Sequence, residues 1–344
     1  MLAVWGLSSF PAGGMASCSG GPGHPAALDR PAAPRAPARS THVVSASQAA
    51  DPGARPPADG GPSAAKALWV SFYGTASQMG DLAHVARTFR LINIDADPGA
   101  GNFTDDEIRI LSDDGRNRVV SYLNIGSCER FRTYWSSAPS GLVPCGANRS
   151  AWLGSYEGYP DETWMDPSDE AYQGLILDFV APRLAARGVD GFYLDNLEVA
   201  EHADPSAPGW CSPRCRQGAL DLVRRLRERF ADMVILMQNA TSDVTRLGMT
   251  GGRRFATLLD GVVHEEVYAP GFDGAAEKQL LLWQAMGMSS RLGHSFFVGV
   301  EDYVGSCANE AAARAAYAKG RARGFAPYVA DESGSQKVIC YWPF

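Results

Sequence analysis

The sequence has no apolar stretch as long as a membrane-spanning helix requires, about 18 residues or more. It also has no excess of basic residues, because 31 Lys and Arg stand against 38 Asp and Glu, for a formal net charge of −7. Nucleic-acid binding therefore has little support, since the phosphate backbone attracts clustered cations. An acidic protein suits a neutral or cationic ligand better.

Motifs for phosphate binding, for a serine nucleophile and for metal ligation are missing as well. Residues 72–75, after the first apolar run, lack the glycine spacing that brings a backbone close to a pyrophosphate. Residues 124–128 lack the second glycine of a nucleophile elbow. Histidines without metal-ligand spacing, expected in core or surface roles, are His84, His202, His264 and His294. We therefore expect no metal and no other cofactor.

The amino-terminal residues lack the Lys or Arg that precedes the apolar core of a signal peptide. Met1–Phe10 is nevertheless fairly apolar, and Met15–Cys18 resembles a bacterial lipobox with Met in place of the usual Leu. Residues 1–18 are thus a candidate leader with Cys18 as the lipidation site, or Cys18 is incidental. Residues 19–65, dominated by Ala, Pro, Gly, Arg and Ser, are predicted to be a disordered tether.

Seven cysteines are an odd number, and setting Cys18 aside leaves six. Closeness along the chain pairs them as Cys128 with Cys145, Cys211 with Cys215, and Cys307 with Cys340, although other connectivities are open. Half of a metal site is the alternative for the Cys211 pair, but no second Cys or His pair lies nearby. Three disulfides would fit an exported protein.

Residues 66–344 have the composition of a globular domain, in which apolar runs alternate with helical patterns. Eight runs are predicted to be strands: 68–72, 91–94, 119–123, 191–194, 234–237, 261–263, 296–300 and 325–329. Continuous apolar strands separated by helices indicate a parallel sheet covered on its outer face. Eight such strands predict an α/β fold of the (β/α)8 barrel type, with an open doubly wound sheet as the competitor.

Polar residues follow the predicted strands at their carboxyl ends, where the site of a barrel lies. Most are acids or amides: Asp95, Asp97, Asn124, Glu129, Asp195, Asn196, Gln238, Asn239, Glu265, Glu266, Glu301 and Asp302. Carboxylates that converge on one mouth acquire different pKa values, as acid and base catalysis on a glycosidic bond requires. The sequence therefore favours a glycosidase site.

Each acid also has a structural interpretation, because a lone Asp after a strand often caps a helix or a turn. Glu198 and Glu201 can be solvated loop charges. Asp195 directly follows an apolar run, which places it on the strand end. Only one of Glu265 and Glu266 is expected to point inward, because side chains alternate along a strand.

Aromatic residues crowd the long connection between the third strand and the helix that begins near Asp169. They are Tyr134, Trp135, Trp152, Tyr156, Tyr159 and Trp164. A connection of this length in a compact domain is usually functional, and flat rings can stack on sugars. The alternative is that these rings pack the connection onto the barrel.

Six motifs resemble, in chain order, those of glycoside hydrolase family 114, the endo-α-1,4-polygalactosaminidase-like enzymes. They are Tyr122–Gly126 followed by Glu129, Trp164–Asp166, Gly188–Asn196, Gln238–Asn239, Asp260–Glu266 and Glu301–Val304. The resemblance spans about residues 66–330 and implies a (β/α)8 barrel that hydrolyses a galactosamine-containing polysaccharide.

The resemblance also implies roles for individual residues. Asp195 and Glu265 would be the catalytic carboxylates, with Glu266 as the alternative to Glu265. Glu265 is the preferred general acid and Asp195 the nucleophile or base, with the opposite assignment left open. The implied substrate-cleft residues are Asp95, Asp97, Tyr122, Asn124, Glu129, Trp164, Asp166, Asn196, Asn239, Asp302 and Tyr303.

Two departures from the family pattern bear on the shape of the cleft. Ala240 follows Gln238-Asn239 where the family commonly has Gly, and residues 127–129 read Ser-Cys-Glu. The expected protein is an extracellular or cell-surface endo-glycosidase for an α-1,4-linked, cationic galactosamine polymer. A carbohydrate-binding barrel without catalysis and a glycosidase for another amino-sugar polymer are the open alternatives.

Overall fold

A sheet of eight parallel strands forms the centre of the protein, whose computed structural model describes residues 69–293, 295–332 and 336–344. The indole of Trp69 on the first strand donates to the carbonyl of Ala326 on the last at 2.9 Å, which brings the two edges together. The predicted (β/α)8 barrel is confirmed, and strand order without reversal excludes the doubly wound sheet. The strands are β1 (Trp69–Phe72), β2 (Leu91–Ile94), β3 (Arg118–Asn124), β4 (Gly191–Asp195), β5 (Val234–Gln238), β6 (Gly261–Glu265), β7 (Phe297–Tyr303) and β8 (Ala326–Ala330).

Helices lie between the strands and cover the outer face of the sheet. The three longest of those described have side-chain caps or acidic first turns typical of helix starts: Ser212 caps one, Asp273 caps the second and Glu310 begins the third. The helices are α1 (Ala76–Met79), α2 (Leu82–Thr88), α3 (Asp105–Ser112), α4 (Thr133–Ser136), α5 (Glu170–Leu175), α6 (Ala181–Ala185), α7 (Pro213–Arg229), α8 (Asp243–Arg246), α9 (Gly274–Gln284) and α10 (Glu310–Ala322).

Alternation along the strands divides the core into two layers. Tyr193, Val263 and Phe297 pack inside the barrel. Their neighbours in sequence pack between the strands and the helices, and these outward residues are Phe192, Leu194, Val262, Val298 and Val300. Because successive side chains of a strand point to opposite faces, this alternation also decides which polar residues at the strand ends face the barrel mouth.

A three-stranded antiparallel sheet is inserted between β3 and α5, within the long aromatic connection. Its strands are Ser127–Glu129, Trp152–Tyr156 and Tyr159–Met165, and the last lies between the other two. Below we call it the inserted sheet. It begins three residues after β3 ends, so it rises from the carboxyl end of the barrel.

Three disulfides join the cysteine pairs that closeness along the chain predicted. Cys128 bonds Cys145, Cys211 bonds Cys215, and Cys307 bonds Cys340. The first attaches the inserted sheet to the loop that precedes its second strand. The confirmed pairing also removes the alternative of a half metal site at Cys211 and Cys215.

The candidate leader of residues 1–18, Cys18 and the tether of residues 19–65 all lie outside the described residues. In the part of the chain that the structure describes, no helix has the length and hydrophobicity needed to cross a membrane.

Candidate active site

Three acidic side chains continue the inward-facing positions of neighbouring strands. Asp195 lies two residues after the inward Tyr193, and Glu265 lies two residues after Val263. Glu301 is in register with Glu265 on the next strand. Burial, followed by the charges of Glu265, Asp302 and Asp195, raises the pKa of Glu301. The carboxyl groups of Asp195, Glu265 and Glu301 therefore interact at the carboxyl end of the barrel.

Glu265 is held by donors from two neighbouring strands. The side-chain amide of Asn239, just after β5, donates to Glu265 Oε2 at 2.7 Å, and the Asn239 side-chain oxygen accepts from the Glu265 backbone at 3.0 Å. The Tyr303 hydroxyl on β7 donates to Glu265 Oε1. Tyr303 in turn accepts a hydrogen bond from the Gln336 amide at 2.6 Å. Donors on both oxygens fix the orientation of this carboxyl group.

Asp195 is half-buried at the end of β4, opposite Asn124 of β3. Burial, followed by the charge of Glu265, raises the pKa of Asp195 to about 8, although a hydrogen bond from Tyr122 lowers it. At neutral pH Asp195 therefore keeps its proton, whereas the Glu265 carboxyl group is surrounded by hydrogen-bond donors. Two carboxyl groups with opposed environments are what acid–base chemistry on a glycosidic bond needs.

Asp302, which the family resemblance implied as a cleft residue, points away from the mouth. It follows the inward Glu301, so its side chain lies on the outer face of β7, with an exposed fraction of 0%. Its Oδ1 accepts from the backbone nitrogens of Tyr268 at 2.7 Å and Ala269 at 3.0 Å. Burial raises the pKa of Asp302 to about 6. Asp302 thus holds the loop after β6 and does not line the cleft.

Three other predicted cleft acids are buried around one guanidinium group. Arg132 lies 2.8 Å from Asp95, 3.6 Å from Asp97 and 3.2 Å from Glu129. Asp97 also receives two bonds from Arg183, at 2.5 and 2.6 Å. These acids are compensated by arginine side chains inside the loops after β2 and β3, and their predicted place in the substrate cleft stays a prediction.

The predicted cleft residues Asn124 and Asn196 both form hydrogen bonds with Ser127. Asn124 accepts from the backbone of Ser127 at 2.8 Å and donates to the Ser127 hydroxyl at 2.8 Å. Asn196 has a left-handed φ of 61° and donates to the same hydroxyl at 2.8 Å. Both side chains are buried, so they fix the turn next to Asp195.

One functional candidate at this point was not singled out from the sequence. Glu162, on the last strand of the inserted sheet, accepts from the Ser127 hydroxyl at 2.6 Å and from the Asn196 amide at 3.2 Å. Burial and the charge of Glu129 raise the pKa of Glu162 to about 7. Its place in a hairpin strand inside a long loop gave no periodic signal that linked it to the barrel.

The aromatic residues of the connection divide into packing and exposed groups. Trp164 is buried, with its ring stacked on Tyr156 at 4.0 Å and edge-on to His202 at 4.8 Å, so it packs the connection. Tyr159 is 46% exposed. Burial, followed by the charges of Glu265, Glu162 and Asp195, raises its pKa, so Tyr159 lies near the mouth.

Of the remaining predicted site residues, Asp166 receives the backbone N–H of Ser168 at 2.8 Å in the turn that leads to α5. Glu266 is exposed with a φ of 55°, whereas Glu265 continues the inward face of β6. Glu198 and Glu201 are half-buried, and burial raises the pKa of each. The Glu198 carboxyl also feels the charge of Asp195.

The histidines are predicted to have core or surface roles, and no metal ligation is expected. His264 is half-buried, and its Nδ1 lies 2.9 Å from the Glu265 carbonyl oxygen. His294 lies outside the described residues. Within those residues, no group of three or more His, Cys, Asp or Glu is arranged to hold a metal ion.

Comparison with known proteins gives matches to glycoside hydrolases. The profile of the glycoside-hydrolase family GH114 matches residues 55–342. The glycoside hydrolase domain of PelA from Pseudomonas aeruginosa superposes with a TM-score of 0.58 at 16% identity, covering 79% of this chain and 96% of that one. Ega3 from Aspergillus fumigatus, in complex with galactosamine, superposes with a TM-score of 0.57 at 14% identity, covering 81% and 95%. These two likenesses show the shared fold.

A curated relative from Thermotoga maritima, an uncharacterised protein, is 27% identical over 146 residues. The match covers 41% of this chain and 42% of the relative, so it spans less than half the length of either protein.

Proposed function

The protein belongs to glycoside-hydrolase family GH114 and is a glycoside hydrolase. We propose that it cleaves internal bonds of an α-1,4-linked galactosamine-containing polysaccharide. The observation that carries this proposal is the pair of inward carboxyl groups, Asp195 and Glu265, with opposed environments at the barrel mouth. The galactosamine bound in the Ega3 structure supports the choice of sugar.

Acidic side chains without a basic partner favour a cationic polymer. Glu265 and Glu162 lie near the protonated Asp195 and form no salt bridge with any described residue, whereas the acids around Arg132 are compensated. Fixed negative potential in a cleft concentrates cations, and deacetylated amino sugars carry ammonium groups at neutral pH. The exposed ring of Tyr159 beside these carboxylates adds a face on which a sugar can stack.

The two carboxyl groups share the catalytic work between an acid and a nucleophile or base. The sequence favours Glu265 as the acid. The raised pKa of Asp195 and the donors on Glu265 favour the reverse. A substrate with an activated leaving group separates the two assignments, because cleavage of its bond needs little help from an acid. If Asp195 is the acid, Asp195→Asn keeps more activity on this substrate than Glu265→Gln does. If Glu265 is the acid, the order of the two variants is reversed.

Three disulfides support an exported protein, because such bonds persist in oxidising compartments. An extracellular or cell-surface location and a lipid on Cys18 stay predictions. Mass spectrometry of the full-length protein after acyl labelling, before and after Cys18→Ser substitution, tests the lipid.

Product analysis by mass spectrometry tests the proposed activity. The full-length protein is incubated with partially deacetylated α-1,4-galactosaminogalactan, and products are sampled early in the reaction. Internal cleavage gives a ladder of short oligosaccharides from the first samples. A folded protein that binds the polymer without cleaving it would be a carbohydrate-binding barrel, and cleavage of another amino-sugar polymer alone would move the enzyme to a different substrate.

A further inference from the structure

Glu162 is held beside the catalytic centre by two hydrogen bonds to the same oxygen. Its Oε2 accepts from the Ser127 hydroxyl at 2.6 Å and from the Asn196 side-chain amide at 3.2 Å. Asn196 is the residue directly after Asp195, and its own side chain is buried. The position of the Glu162 carboxyl group is therefore tied to the end of β4, although the residue itself belongs to the inserted sheet.

The other oxygen of this carboxyl group has no hydrogen-bond partner among the described residues. Glu162 Oε1 accepts no hydrogen bond from any residue in the part of the chain that the structure describes. The side chain is half-buried, so part of it is accessible. Its charge raises the pKa values of Asp195, Tyr156 and Tyr159, which shows that it lies in the same electrostatic environment as the catalytic pair.

We infer that Glu162 binds the ammonium group of a deacetylated amino sugar placed next to the scissile bond, and so selects deacetylated over N-acetylated units. This inference rests on the proposed function. An ammonium group offers three donors and a full charge to the unused oxygen, and such charge-assisted bonds are the stronger kind. An N-acetyl group is neutral and larger, and it leaves the carboxylate charge uncompensated.

The pH dependence of substrate binding follows from the surroundings of Glu162. The titratable and charged groups that act on it or feel its charge lie on the inserted sheet, on β3, β4 and α5, and in the loop after the first inserted strand. They are Glu129, Arg132, Asp195, Tyr122, Tyr156, Tyr159 and Tyr172. Burial and Glu129 outweigh Arg132 and raise the pKa of Glu162 to about 7. A cationic sugar binds the carboxylate form, so KM for deacetylated oligomers rises as the pH falls below about 7.

The substitution Glu162→Gln tests this selection without changing the size of the side chain. Glutamine retains an oxygen for Ser127 and Asn196 but carries no charge. Losing one charge-assisted hydrogen bond, about 1.5–3 kcal/mol, predicts a KM for deacetylated oligomers about 10- to 100-fold higher, with kcat within about threefold of wild type. KM for N-acetylated oligomers stays the same, and the pH dependence of KM near neutral pH disappears.

Asp161→Asn is the matched control, because it removes one negative charge from the adjacent residue of the same strand. Asp161 is exposed, and side-chain alternation puts it on the opposite face of the strand from Glu162. The full-length proteins are compared by kinetics and by equilibrium binding of deacetylated and N-acetylated galactosamine oligomers. The inference is overturned if Glu162→Gln keeps the wild-type preference for deacetylated oligomers, or if Asp161→Asn loses as much of that preference. Turnover by wild type upholds the proposed function in either case. A wild-type protein that neither binds nor cleaves either oligomer overturns both.

Discussion

Glu265 on β6 and Glu301 on β7 are in register, yet the surroundings of their carboxyl groups are opposite. Glu265 accepts hydrogen bonds from Asn239 and Tyr303. Glu301 has an exposed fraction of 0%, and neither of its oxygens is within hydrogen-bond geometry of any described group. Burial, followed by the charge of Glu265, raises the pKa of Glu301 well above its usual range, so Glu301 is neutral when Glu265 is charged.

A neutral Glu301 makes stability depend on pH in a definite direction. The folded protein keeps this proton above pH 4.5, where the unfolded chain has lost it, so the residue contributes less stability as the pH rises. Glu301→Gln removes that dependence. The difference in melting temperature between the variant and wild type should therefore grow between pH 5 and pH 8. It grows by about 2–4 °C for each kcal/mol of unfolding free energy that wild type loses over this range. A difference that does not change with pH would show that Glu301 is charged in the folded protein.

Tyr303 is a positioning residue for Glu265, because it is buried and reaches the carboxyl group through its hydroxyl. Tyr303→Phe removes one donor to a charged group, worth about 1.5–3 kcal/mol, and should lower kcat about tenfold or more with KM within threefold. Tyr317→Phe is the control, since Tyr317 is buried on α10 away from the mouth. Equal kinetic effects in both variants, or a change in KM alone, would contradict this role.

Arg132 compensates three buried acids, so removing it should destabilise the protein strongly. Arg132→Met leaves Asp95, Asp97 and Glu129 without their shared cation, and breaking a buried ion pair in this way costs about 3–5 kcal/mol. Arg130→Met removes the same charge from an exposed neighbour and should have little effect. Urea unfolding of the two variants measures the difference, and equal midpoints would mean that the network does not hold the loops.

Much of the fold could be predicted from the sequence because its signals are local. Each of the eight apolar runs became a barrel strand, and the cysteine pairs closest along the chain bonded to each other. Alternation predicted that only one of Glu265 and Glu266 points inward, and in the structure Glu265 continues the inward face of β6 whereas Glu266 is exposed. The same alternation, counted from Phe297, places Glu301 inward and Asp302 outward, so this part of the site was also within reach of the sequence.

The rest of the site depends on contacts between distant segments. Arg132 meets Asp95 from another loop, and the pairing needs the relative position of the connections after β2 and β3. Glu162 reaches Asn196 only because the inserted sheet folds back over the end of β4. Neither contact has a periodic pattern or a short spacing, so neither can be read before the loops have been placed.

The central claim is that the inward carboxyl groups of Asp195 and Glu265 carry the hydrolysis. Reducing-end release from deacetylated α-1,4-galactosamine polymer, measured for wild type, Asp195→Asn, Glu265→Gln and Glu266→Gln, tests it most directly. The account predicts losses in kcat of about 10²- to 10⁴-fold for Asp195→Asn and for Glu265→Gln in folded protein, with Glu266→Gln close to wild type. Wild-type turnover in Asp195→Asn or in Glu265→Gln would contradict it.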